Sequence, residues 1–121
     1  MQFHKPLLMI LLVCASASAA FAEVPPKHSA NFKGNYAEMM KRTTSPQLAE
    51  CVATGHDLVA RSKLFDRLGM TDVEIGEATI SPTRIDVPAS VRRQKSGDWR
   101  DIVLSCNFRG GKLVNIDIMN P

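Results

Sequence analysis

With the first 22 positions set aside, the residues best able to move protons are two histidines and a scatter of acids. The histidines are His28 and His56, and His56 is followed directly by Asp57. Adjacent residues on a helix do not face one another, so this pair is not a preassembled acid and base. Asp101 and Asp117 are expected two positions apart on one face of a hairpin, a geometry open to paired-carboxylate hydrolysis. Exposed strand faces ordinarily carry such acids, however. No G-x-S-x-G elbow, phosphate-binding glycine loop or H-E-x-x-H helix occurs in the sequence. The expectation is a chain with no catalytic residues, no cofactor and no bound metal.

Sulfur supplies the firmer chemistry. Cys14 belongs to the first segment, leaving Cys51 and Cys106. They form no C-x-x-C motif and have no zinc-ligand spacing with His28 or His56. An even pair in an exported chain is expected to form a disulfide. The loop it would close, roughly 56 residues, corresponds to about 4 kcal/mol in the chain-entropy model. That is a large share of the roughly 5–15 kcal/mol that holds an ordinary domain together.

Export is the expectation for residues 1–22. Lys5 gives a positive start, Leu7 to Val13 an apolar run too short to span a bilayer, and Ala20-Phe21-Ala22 an A-x-A cleavage pattern. Cleavage is expected before Glu23, with a periplasmic or secreted product. Lipid attachment at Cys14 is the alternative, but bulky Val13 stands where a small residue is needed. The remaining 99 residues carry 14 Lys and Arg against 12 Asp and Glu, a net charge of +2. So even a balance argues against a nucleic-acid partner. No later stretch approaches the roughly 20 apolar residues of a transmembrane segment.

Residues 23–44 read as an extended lead-in, stiffened by Pro25 and Pro26, with a short helix from Tyr36 to Arg42. Ser45 can cap a helix that begins at Pro46. Leu48, Cys51, Val52, Gly55, Leu58, Val59, Ser62 and Phe65 then recur at helical spacing, and Gly69 suggests a stop. One long helix over about 46–68 is predicted, with Gly55 allowing close approach of whatever lies beneath. Beyond it the period falls to two. Strands are expected over 73–80, with a bulge at Gly76, and over 83–91, where Pro88 marks an edge or an end of pairing. The last two strands, 98–108 and 112–119, are joined by a three-residue loop, Arg109-Gly110-Gly111. That loop pairs Cys106 with Val114, Leu104 with Ile116 and Ile102 with Ile118. The fold class is therefore α+β, a single domain over residues 45–121. One long helix packs on one face of a roughly four-stranded antiparallel sheet, stapled through Cys51 and Cys106.

A single helix covers one sheet face. Trp99, Val103, Leu113 and Met119 should share the other, as an apolar patch among hydrogen-bonding groups. Either this is a partner-binding face, or the lead-in folds over it with Phe32, Tyr36, Met39 and Met40. Arg92, Arg93, Lys95 and Arg100 surround a Ser96-Gly97-Asp98 turn that could meet an anionic surface or stand simply solvated. These features suggest a small exported, non-catalytic bacterial envelope protein that binds another macromolecule. The alternatives are a carrier holding a small ligand between helix and sheet, or a minor hydrolase.

Overall fold

The computed structural model describes residues 23–121; residues 1–22, with the expected leader, its A-x-A pattern and Cys14, lie outside the described residues. In chain order the elements are α1 (Phe32–Met40), α2 (Pro46–Ala60), β1 (Phe65–Gly69), α3 (Asp72–Gly76), β2 (Thr79–Ile80), β3 (Arg84–Arg93), β4 (Trp99–Arg109) and β5 (Lys112–Met119). The chain is α+β, two packed helices on a curled antiparallel sheet of order β1-β3-β4-β5, with β2 also paired to β3.

Helix α2 starts where its sequence directs: Ser45 Oγ accepts from the Leu48 amide at 3.1 Å, and Pro46 takes the first turn. It stops at Ala60, eight residues short of the predicted end. The amides of Arg61 and Ser62 turn back onto the Leu58 and Val59 carbonyls, and Ser62 Oγ accepts from both Leu64 and Phe65. The chain is thereby redirected into β1, so Phe65 and Leu68 reach the core from a strand. The short helix of the lead-in likewise spans Phe32–Met40 rather than 36–42.

The strand predicted over 73–80 is a helical turn followed by two strand residues. Thr71 Oγ1 accepts from the Glu74 amide at 3.1 Å, and Glu74 Oε1 accepts from the Thr71 amide at 2.8 Å. This capping box satisfies two amides that a helix start otherwise leaves unpaired. The parity change between Val73 and Ala78, read as a bulge, is the mark of α3: Ile75 is buried and Val73 is exposed.

Strand β3 is central, and Pro88 interrupts its pairing on one side only. β2 pairs with Ile85 and Asp86, β1 pairs with residues 90–93, and positions 87–89 have neither as a neighbour. The Ser81 amide donates to the Arg84 carbonyl, so even-numbered β3 positions aim their main chain toward this side. Between the two partners that leaves Pro88, which has no N–H to lose.

The final hairpin corrects the predicted loop. Gly110 and Gly111, with φ of 58° and 80°, form a two-residue turn in which Arg109 pairs with Lys112. A bulge then admits Val114 as an extra residue, so Cys106 pairs with Ile116 and Leu104 with Ile118. This register differs by two residues from the expected one and therefore keeps these side chains on the inner face.

That face meets α2. Leu48, Cys51, Val52, Ile85, Val87, Val91, Leu104, Cys106 and Ile116 are all fully buried. Cys51 and Cys106 are disulfide-bonded, with Cα atoms 5.9 Å apart, across the helix–sheet boundary. Helix α1 packs on α2, placing Met39 and Tyr36 against the core. The lead-in is fastened there by Asp57, a buried carboxylate that accepts from the Ser29 amide at 3.1 Å and from Ser29 Oγ. At its start Glu23 makes a single antiparallel bridge with Ile116 of β5. Among the described residues no helix is long and apolar enough to cross a membrane.

Candidate functional site

Because α1 lies on α2, the segment carrying Phe32, Tyr36, Met39 and Met40 does not fold over the outer sheet face, and the covering alternative is overturned. Strand alternation places Trp99, Asp101 and Val103 of β4 on that face. Val103 stands between Pro88 of β3 and Met119 of β5, forming an apolar row across three strands. Trp99 is 53% exposed, and Met119 is also exposed. The indole is seated over Gly69: a Cβ there would lie 3.5 Å from its Cη2 and Cζ3 atoms. The ring is thus supported from beneath and open above. Polar neighbours border the row, with Ser90 Oγ donating to Asp101 at 3.1 Å and Arg84 paired with Asp86 at 3.1 Å.

Leu113 leaves the predicted patch. The bulge at Val114 reverses parity in the first part of β5, setting Leu113 opposite buried Phe108 and packing it against the core. A one-residue bulge is invisible to an alternating pattern read outward from a turn. The outer face consequently holds Trp99, Val103 and Met119, with Pro88 added.

The four predicted anion-contacting cations are not one turn. Arg92 lies in β3 and is engaged by Asp66 through Nε at 2.8 Å and Nη2 at 2.9 Å. Hydrogen bonding from this guanidinium holds the Asp66 carboxyl below its ordinary range, and the carboxylate in turn raises Arg92. Arg100 lies in β4 and donates to Asn120 Oδ1 at 2.7 Å. Arg93 closes β3 and Lys95 occupies the turn, both exposed. Asp66 was not anticipated as a partner because the sequence pattern placed it inside the long helix.

His56 and Asp57 diverge as adjacent helical residues should. Asp57 is occupied by Ser29, and among the described residues no hydrogen bond joins His56 to a carboxylate. His56 borders a groove of about 300 Å³ shared with Asn31, Asn35, Asp57, Asp66 and Arg67. Its burial lowers the imidazole pKa, opposed by the weaker influence of Asp57. Among the described residues no group of three or more His, Cys, Asp or Glu side chains could hold a metal ion.

A larger concavity than this groove is one the sequence did not reveal. It is a cleft of about 440 Å³ between the end of α2, the start of β1 and the inner ends of β4 and β5. Leu58, Phe65, Ile102 and Ile118 line it, and Arg61 and Arg100 stand at its border. The signal available was the stretch Arg61-Ser62-Lys63, where polar residues interrupt the apolar stripe and end the helix.

No protein-family model matches the sequence, no curated protein matches it, and no solved structure matches the fold.

Proposed function

We propose that this chain is a small exported, non-catalytic envelope protein that binds another macromolecule through its outer sheet face, with Trp99 as the anchor. The carrying observation is the half-exposed indole seated on Gly69 while α1 packs on α2, on the opposite side of the sheet. A supported aromatic ring keeps little freedom to lose on binding, and aromatic anchors carry a large share of interface energy. Export is supported by the leader-like composition of residues 1–22 and by a disulfide, which persists in oxidising compartments. Mass spectrometry of the processed chain should find Glu23 at its amino terminus; a lipid on Cys14 would replace secretion with anchoring.

The test is crosslinking of the oxidised protein in an envelope extract, with wild type and Trp99→Ala compared. Trp99 is exposed, so the variant should fold, as checked by circular dichroism. The expected result is loss of the captured species in the variant. Equal capture by both proteins would remove Trp99 from the interface.

A second reading, a carrier with its ligand between helix and sheet, is favoured by the inner cleft. Its volume of about 440 Å³ falls within the roughly 300–1,000 Å³ typical of small-molecule sites.

A further inference from the structure

Exposed large apolar side chains gather at the inner cleft. Seven occur among the described residues, and three of them, Val24, Leu64 and Met119, line it. Val24 is 83% exposed and Leu64 69%. Within, the walls continue as Leu58, Phe65, Ile102 and Ile118, partly buried or buried members of the core. An apolar path therefore runs from solvent to the interior, where a folded chain ordinarily keeps its apolar surface closed.

Two guanidiniums flank this path from opposing walls. Arg61 is the residue that ends α2, and it forms no ion pair among the described residues. Arg100 comes from the sheet on the same parity as Ile102, and its bond is to the neutral amide oxygen of Asn120 rather than to an acid. Glu23 and Asp117 also border the cleft. Glu23 enters along the β5 edge, and Asp117 comes from β5 opposite Ser105, two residues before Met119. Neither pairs with Arg61 or Arg100 among the described residues.

We propose that the cleft binds an acyl chain ending in a carboxylate, its tail along Leu58, Phe65, Ile102 and Ile118 and its head between Arg61 and Arg100. Guanidinium–carboxylate contacts are strong because the planar donors match the two acceptor oxygens. The tail adds the ordinary gain from removing methylenes from water. This inference rests on the carrier reading and gives it a ligand class.

Dodecanoate, below its micellar concentration, is the probe, titrated calorimetrically into the oxidised full chain. Dodecanol and dodecyltrimethylammonium are the neutral and cationic comparisons. Dodecanoate should bind with one-to-one stoichiometry and most tightly of the three. The double variant Arg61→Gln/Arg100→Gln, both positions exposed, should weaken it about tenfold or more and leave dodecanol unchanged. Ile118→Trp, which narrows the cleft, should weaken every probe. Preference for dodecanol or the ammonium, or indifference to the arginine variants, overturns the carboxylate assignment while the carrier reading stands. Absence of binding by any probe, or binding untouched by Ile118→Trp in a variant that melts as wild type does, overturns both.

Discussion

Gly55 of α2 lies directly over Leu104 of β4: a methyl group on the glycine would come within 2.7 Å of Leu104 Cδ2 and 3.1 Å of Leu68 Cδ2. Alanine normally favours a helix by about 1 kcal/mol over glycine. Leu104 is fully buried, however, so its displacement disturbs packed neighbours at about 1–3 kcal/mol. Gly55→Ala should therefore destabilise the protein by about 1 kcal/mol. A urea-melt midpoint shifted downward at unchanged slope would establish this; a gain in stability would show that Leu104 moves freely.

The bond between Cys51 and Cys106 spans 55 positions and joins α2 to the middle of the sheet. Its reduction should cost about 4 kcal/mol, mainly by releasing the unfolded chain from a loop constraint. Unfolding curves with and without dithiothreitol measure this directly. A difference under about 1 kcal/mol would mean that the unfolded chain stays compact without the bond.

Thr54 Oγ1 is buried without a hydrogen-bond partner among the described residues. A valine has nearly the same shape and no hydroxyl to desolvate. Thr54→Val should raise stability by about 1 kcal/mol, read as a higher melting temperature. A loss of similar size would point to a bond that the hydroxyl makes to water.

His56 sets a pH dependence. Burial lowers its pKa in the folded protein, outweighing the opposing effect of Asp57, while the unfolded chain regains the ordinary value of 6.5. Below about that pH the unfolded state takes up the proton more readily, and proton binding favours unfolding. The stability contributed by neutral His56 is therefore intact above pH 6.5 and declines as pH falls toward and through the lowered value. Melting temperatures between pH 7.5 and 5 should fall more for wild type than for His56→Gln. Parallel curves would show that His56 is equally solvated in both states.

Much of this fold was legible where pattern and chemistry coincide. Ser45-Pro46 located the start of α2, the alternation of Ile85, Val87, Ala89 and Val91 identified the inner face of β3, and the two remaining cysteines met as expected. The failures have physical causes. Phe65 continues a helical spacing of three and four, yet Ser62 Oγ captures two amides and turns the chain first. Thr71 and Glu74 form a capping box whose short helix was obscured by a β-rich composition. The hairpin had two registers that keep Leu104, Cys106, Ile116 and Ile118 on the inner face, so the burial of these residues could not choose between them. Paired glycines and the bulge at Val114 decided it, and with it the fate of Leu113. Trp99 was placed correctly on the outer face, whereas the inner cleft required the end of α2 to be known.

Pro88 also bears on how the protein behaves in company. A vacant stretch beside a central strand would normally be a template for a foreign strand, because unmet amides and carbonyls invite a new ladder. Between β1 and β2, where α3 packs against β3 without pairing to it, the main chain presents one carbonyl and no amide, too little to nucleate such a ladder. The sheet can thus carry an incomplete flank in a crowded compartment without recruiting other chains to finish it.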